Sequence, residues 1–214
     1  MRSLKSLQRA TPTRTPKSKF IIYSEGKNTE PHYFKAVRRD LLGALVEIEI
    51  IDAAGVPITI ADKACQRAKA LKRSRGKRSS FEDGDQVWAV FDRDEHPRVS
   101  EAMNLCHKGS VNVAFSDPCF ELWLILHYND FDRMDDRHQV QSAFAKLCHE
   151  YDAKSNKSAD FSKIMSNVEA AEQRAERQLQ RREQESVPPS RPFTTVFKLT
   201  QQMRIAHTKY KGTT

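Results

Sequence analysis

Two aspartates one residue apart, Asp92 and Asp94, follow an unbroken apolar run, Val87-Trp88-Ala89-Val90-Phe91. A third acid, Glu25, closes an earlier run, Phe20-Ile21-Ile22-Tyr23, one serine further on. If both runs are neighbouring parallel strands, three carboxylates meet at one edge of a sheet. Two such groups about 4 Å apart repel by ~4 kcal/mol at an effective dielectric near ~20, so the cluster demands a cation or a raised pKa. Mg2+, with Mn2+ as a substitute, suits it, because Mg2+ takes one or two carboxylates, keeps several waters and bridges to substrate phosphate. The blander alternative is that Asp92 caps a turn while Arg93 and Lys27 neutralise the acids.

The elements that must position these residues follow from periodicity. A continuous apolar run reads as a strand buried on both faces, the mark of a parallel sheet, with the acids at its carboxyl end, where open α/β sheets bind ligands. Lys19–Ser24 is such a strand. After it Gly26 permits a turn, Thr29 offers a helix cap, Pro31 suits a first helical turn, and Tyr33, Phe34, Val37 and Leu41 share a helical face closed by Gly43. Val46, Ile48 and Ile50 alternate with Glu47 and Glu49, which places a half-wet strand near the sheet edge. Asp62 is a candidate cap for a helix whose Ala64, Cys65, Ala68 and Leu71 oppose Lys63, Arg67, Lys69, Lys72 and Arg73, with a basic loop from Ser74 to Ser80. The order so far is βαβαβ, with crossovers long enough for parallel strands.

A short helix with Val99, Ala102, Met103 and Cys106 is expected to stop at Gly109, ahead of a strand at Val111–Phe115. Ser116 or Asp117 then reads as the cap of a buried helix over Phe120–Tyr128 in which Glu121 is the exception: a carboxylate there must be paired, protonated or used. Beyond Asn129 come a helix with Val140, Phe144, Leu147 and Cys148, and another with Ile164, Met165, Val168, Ala171, Ala175 and Leu179. Pro188, Pro189 and Pro192 break the latter, and Thr194–Ala206 forms a short amphipathic helix. The expected organisation is a disordered basic tail at 1–18, an α/β core at 19–130 and a helical C-terminal portion at 131–214.

The chain has 214 residues, net charge +8 and 30% charged residues. Basicity is concentrated: residues 1–19 carry six Lys or Arg and residues 63–78 carry eight, neither tract with an acid. The second tract, Lys63, Arg67, Lys69, Lys72, Arg73, Arg75, Lys77 and Arg78, is a candidate nucleic-acid surface, since affinity for a phosphate backbone comes largely from counterion release. The alternative is a solvated helix face. Cys65, Cys106, Cys119 and Cys148 form no C-x-x-C pair, and Cys106-His107 and Cys148-His149 are adjacent residues that diverge on a helix, so zinc and disulfide chemistry are not expected. No apolar stretch approaches the ~20 residues that span a bilayer, and no apolar segment follows the basic N-terminus as in a secretory signal. A cytoplasmic setting without membrane contact is expected.

Ser24-Glu25-Gly26 with Thr29-Glu30-Pro31-x-Tyr33-Phe34, then Phe91-Asp92-Arg93-Asp94, then Ser116-Asp117-Pro118-x-Phe120-Glu121-x-Trp123-Leu124, and finally Thr194-Thr195-Val196 together resemble the RloB family of bacterial defence proteins. That family looks like a branch of the Toprim superfamily. The resemblance implies a Toprim-like (Rossmann-like) α/β fold, with a mostly parallel central sheet flanked by helices. It matches Glu25 to the superfamily's glutamate, and Asp92 and Asp94 to its metal-binding pair. The implied activity is that of a metal-dependent endonuclease, hydrolysing phosphodiester bonds of RNA or DNA in antiphage defence by abortive infection. Metal held by Asp92, Asp94 and Glu25 would activate water, with Glu25 as general base or acid. Lys27 and His96 are accessory candidates for phosphate contact and proton transfer, and Glu121 is a third accessory. The competing class is a non-catalytic nucleic-acid-binding or regulatory partner of a defence ATPase. An ATPase itself is not expected: Ile21 stands where a Walker A loop has its first glycine, and Asn28 where Ser or Thr would bind magnesium. A topoisomerase would need a much larger architecture around a nucleophilic tyrosine, and a primase of the superfamily would bring a zinc-binding module, so neither is expected.

Overall fold

The computed structural model describes residues 19–41, 45–50, 56–74, 85–93, 98–153, 157, 159–185 and 188–211. Of the sequence candidates, Asp94, His96, Arg75, Lys77, Arg78 and Gly43 lie outside them, as do the tail at 1–18 and residues 75–80 of the basic loop. Among the described residues the elements run β1 (Lys19–Ser24), α1 (Thr29–Asp40), β2 (Leu45–Ile50), α2 (Pro57–Ser74), β3 (Gln86–Asp92), α3 (Val99–Gly109), β4 (Asn112–Asp117), α4 (Glu121–Ile125), α5 (Arg137–Leu147), a 3-10 helix (Phe161–Asn167), α6 (Val168–Glu185), β5 (Phe193–Thr194) and α7 (Val196–Lys211).

The apolar runs do become buried parallel strands. Phe20–Ser24 and Val87–Phe91 have buried side chains throughout. The sheet order is β2-β1-β3-β4-β5, with the first four strands parallel and the short β5 antiparallel. β2 is an edge strand, as its alternating pattern predicts. From β1 the chain steps outward to β2, then returns across β1 to β3, so the winding direction reverses between β1 and β3. Right-handed crossovers then place α1 on one face and α2 with α3 on the other. The packing agrees: α2 lies against α3, while α1 lies against the 3-10 helix. A reversal point of this kind opens a crevice at the carboxyl ends of the two strands.

Several local expectations fail for identifiable reasons. Thr29 does not cap α1; it is the first helical residue, and its hydroxyl donates instead to the Lys157 carbonyl at 2.7 Å. Asp62 lies inside α2, which starts at Pro57, and accepts from Gln66 one turn on at 2.8 Å. α3 does end at Gly109 as expected, although it is Ser110 that takes the left-handed conformation, at φ 57°. Gly109 is needed for room: a Cβ there would stand 2.3 Å from Cys65 Sγ, so its absence lets α3 press against α2. Neither Ser116 nor Asp117 caps a helix; both end β4, and Ser116 Oγ pairs with Thr194 Oγ1 at 2.9 Å. The helix expected over Phe120–Tyr128 is regular only at Glu121–Ile125, a length with little intrinsic stability. Burial holds it instead: all five residues are buried, and Leu122, Trp123 and Leu124 are 0% exposed. Each such side chain contributes roughly 1.5–3 kcal/mol on leaving water.

The C-terminal portion completes the sheet. β5 extends the β4 edge, Thr195 Oγ1 accepts the Phe115 N–H at 2.9 Å, and α7 packs on β4. The four cysteines are free thiols. Among the described residues no helix is long and apolar enough to cross a membrane.

Candidate active site

β1 ends at Ser24, yet the strand pairing runs one residue further, because the Glu25 N–H donates to the Val90 carbonyl of β3 at 3.2 Å. This bond fixes Glu25 beside the end of β3, where Asp92 is the last strand residue. The loop then turns into α1, and Glu30 in its first turn folds back so that Oε1 accepts the Gly26 N–H at 3.2 Å. A Cβ on Gly26 would lie 1.9 Å from Glu30 Oε2. Without a Cβ, Gly26 leaves room for the Glu30 carboxylate beside it; a larger residue would push that flexible side-chain end aside.

Asp92 Oδ2 accepts the Phe120 N–H at 3.0 Å, while its Oδ1 is buried without a hydrogen-bond partner. Next to Phe120, the buried Glu121 carboxylate accepts from the Tyr151 hydroxyl and, at 3.5 Å, from Gln141 Nε2. Glu25, Glu30, Asp92 and Glu121 line one cavity of about 210 Å³ at the winding reversal, and Lys27, Arg137 and Lys157 line it too.

Electrostatics reflects this crowding. Burial first, then the charges of Glu30, Glu121 and Glu25, push the Asp92 carboxyl well above the ordinary aspartate range. Burial likewise lifts Glu30 to about 7, helped by Glu121 and Glu25 and opposed by backbone N–H groups. Cys119, buried among the same acids, is held as a neutral thiol.

An aromatic cluster supports the cavity from below. The Tyr33 ring of α1 makes edge-on contacts with Phe34, Phe120, Trp123 and His127, so two of the sequence motifs meet in one packed group. His127 Nδ1 lies 3.0 Å from the Trp123 carbonyl and Nε2 lies 3.1 Å from the Tyr33 hydroxyl. Since a carbonyl only accepts, Nδ1 carries the proton and Nε2 accepts from tyrosine. Burial keeps this imidazole neutral, with its pKa lowered to about 4.

Of the sequence candidates, the structure brings Glu25, Asp92, Lys27 and Glu121 together. Lys63, Lys69, Lys72 and Arg73 are exposed on α2, and Arg67 there is half-buried. Sequence reasoning gave no role to Glu30, Arg137, Gln141, Tyr151 or Lys157. An acid in a first helical turn reads as a partner of the helix dipole, and only the Gly26 to Glu30 spacing hints at more. The others come from distant segments and carry no local signal.

Does the cavity fit a hard cation? Four of its lining side chains, Glu25, Glu30, Asp92 and Glu121, offer carboxylate oxygens, which Mg2+ takes, and Asp92 Oδ1 is a buried acceptor with no hydrogen bond. Among the described residues no three His, Cys, Asp or Glu side chains stand at metal-ligating spacing. Mg2+ requires only one or two carboxylates, with water completing the octahedron, so the donor set still fits.

No curated protein and no solved structure matches the chain. The family model described as RloB-like protein matches residues 20–203. That span holds every residue of the cavity, and the chain belongs to the RloB-like family.

Proposed function

We propose that this chain is a Mg2+-dependent nuclease that hydrolyses phosphodiester bonds of RNA or DNA, acting in the cytoplasm in bacterial antiphage defence on a Toprim-like scaffold. The observation that carries this is the convergence of Glu25, Glu30, Asp92 and Glu121 on one cavity at the sheet's winding reversal, with Lys27, Arg137 and Lys157 beside them. Asp92 and Glu25, with Asp94 from the sequence motif, are the groups to hold the ion, which when bound supplies a Lewis acid for a phosphoryl oxygen and a more acidic water. The three basic side chains offer charge to the phosphate that such a substrate brings. Glu25 serves as general base or acid. Glu30, raised to about 7, keeps a proton near neutral pH, as suits a donor to a leaving oxygen.

Incubation of the purified protein with DNA and with RNA in Mg2+ tests this. Cleavage that disappears with EDTA and with Asp92→Ala is expected; cleavage that survives both sinks the site. A second reading, a non-catalytic nucleic-acid-binding or regulatory partner of a defence ATPase, is favoured by one finding: Glu30 and Glu121 already accept hydrogen bonds from Gly26, Tyr151 and Gln141. Calorimetry separates the two, because that partner would bind polynucleotide without any heat of Mg2+ binding.

A further inference from the structure

The helices α1, α2 and α3 each join two parallel strands, so each runs back antiparallel to them. Their last turns gather at the amino edge of the sheet, opposite the carboxylate cavity. Those turns are basic: Arg38 and Arg39 in α1, Lys72 and Arg73 in α2, His107 and Lys108 in α3. The α1 pair is offset by the neighbouring Asp40 and by Asp160, whose carboxyl is held low first by hydrogen bonds from Ser162 and, least, by Arg39. The other face differs. Residues 64–74 and 102–109 contain no Asp or Glu, and Lys69, Lys72, Arg73, His107 and Lys108 are all exposed.

The two helix ends form one surface, since Lys72 Nζ donates to Ser110 Oγ at 2.8 Å. Ser110 precedes β4, whose first residue Asn112 pairs with Trp88 near the start of β3, which fixes this surface at the amino edge. An acid at this edge, Asp85, accepts the Lys19 backbone N–H at 3.3 Å. From Gln86 to Asp92, β3 rises about 3.3 Å per residue, so the basic surface and the cavity are roughly 20 Å apart. Cations in a last turn also complement the helix dipole, but that effect fades within one turn and leaves Lys69 unexplained.

We infer that the ends of α2 and α3 are a distal anchor for the phosphate backbone of the same nucleic acid whose backbone enters the cavity. The protein then selects polymers long enough to reach across the sheet, about six base pairs of duplex at ~3.4 Å each. This rests on the reading of the chain as nucleic-acid-binding, though not on cleavage.

The test is binding of the full-length protein in EDTA to labelled RNA and DNA hairpins with stems of about 5 and about 16 base pairs, over a salt series. The variants are Lys69→Glu/Lys72→Glu/Arg73→Glu, its glutamine counterpart, and Arg38→Glu/Arg39→Glu as control, each checked by thermal melting. The wild type is expected to prefer the long stem by at least tenfold. The triple reversal should erase that preference and flatten the log–log salt slope by about three, one for each phosphate that is no longer neutralised. The glutamine variant should fall between, the control should match wild type, and the RNA and DNA arms show which backbone is anchored. The anchor is overturned if the long-stem preference survives the reversal, if wild type never shows it, or if reversal lowers only the melting temperature. Length-selective binding with no cleavage once Mg2+ is added back would keep the anchor and remove the nuclease; Mg2+-dependent cleavage without length selection would do the opposite.

Discussion

Asp92 and Asp117 end neighbouring parallel strands and have opposite surroundings. Asp117 is 2% exposed, with Arg93 Nε 3.2 Å from Oδ2 and Arg191 Nε 3.9 Å from Oδ1. Burial raises its pKa and both guanidinium groups pull it down. Burial and then the charges of Glu30, Glu121 and Glu25 raise the Asp92 pKa, and only the one backbone N–H that it receives from Phe120 lowers it. Arg93 decides the difference. Its N–H bonds to the Ser116 carbonyl at 2.9 Å, prolonging the β3–β4 pairing, and its side chain goes to Asp117. The arginine expected on the blander view to neutralise Asp92 thus serves its neighbour. A buried carboxylate paired with arginine is what structure alone requires, whereas acids packed against acids cost stability and are kept where chemistry uses them.

The largest effect should come from Asp92→Asn. Cleavage is expected to fall by about a hundredfold or more, the scale of losing a positioned ionisable group, while the melting temperature in EDTA stays level or rises, since an amide of the same shape cannot ionise among the neighbouring carboxylates. Activity close to wild type would break the comparison.

Next comes the stability cost of the acid cluster. Glu30 has its folded pKa raised to about 7 from 4.5, so its contribution is fully present below 4.5 and is lost as pH rises through 7. The loss is about 3 kcal/mol, at ~1.4 kcal/mol per unit. Melting in EDTA should therefore worsen between about pH 5 and about pH 8, and Mg2+ should recover more at the higher pH, where the carboxylates are ionised. A shift independent of Mg2+ at both values would remove the cation from this site.

Asp117→Asn should do the reverse of Asp92→Asn. It strands Arg93 and Arg191 beside a neutral amide, but both arginines are half-exposed, so about 2 kcal/mol is expected rather than the full penalty of breaking a buried pair. Chemical denaturation measures it, and cleavage should stay within a few-fold of wild type. An activity loss as deep as that of Asp92→Asn would move Asp117 into the site.

The contrast also explains what was legible in advance. Apolar runs named β1 and β3, and their terminal acids named Glu25 and Asp92, because strand burial and strand ends are properties of contiguous sequence. Glu121 stood out as an acid in a buried apolar segment. Thr29, Asp62 and Ser116 do not cap helices because a hydroxyl or carboxylate that suits a cap also suits other partners: tertiary contacts give Lys157 to Thr29 and Thr194 to Ser116, and Gln66, one turn on in α2, donates to Asp62. The partners of Asp117 could not be read, since Arg191 lies far along the chain and Arg93 sits directly beside Asp92. The reach of Tyr151 and Gln141 to Glu121 is likewise a product of packing alone.

That reach yields the smallest predicted effect. Tyr151 packs its ring against Phe144, with centroids 4.7 Å apart, and donates its hydroxyl to the Glu121 carboxylate beside Asp92. Burial and the adjacent Glu121 raise the phenol far above its ordinary range, so it stays a donor at every working pH. Tyr151→Phe keeps the ring packing and deletes only the hydroxyl. A hydrogen bond to a charged group contributes about 1.5–3 kcal/mol, and Gln141 remains as a donor, so stability should fall by about 1 kcal/mol. Glu121 would then turn more freely towards Asp92, and kcat should drop by roughly tenfold with KM nearly unchanged, because a positioning residue is removed while the groups that bind phosphate stay. Gln141→Leu should act in the same direction, and the double variant should show less than the sum of the two, since both hold the same oxygen. Strict additivity, or an effect confined to KM, would mean that Glu121 is held for packing alone.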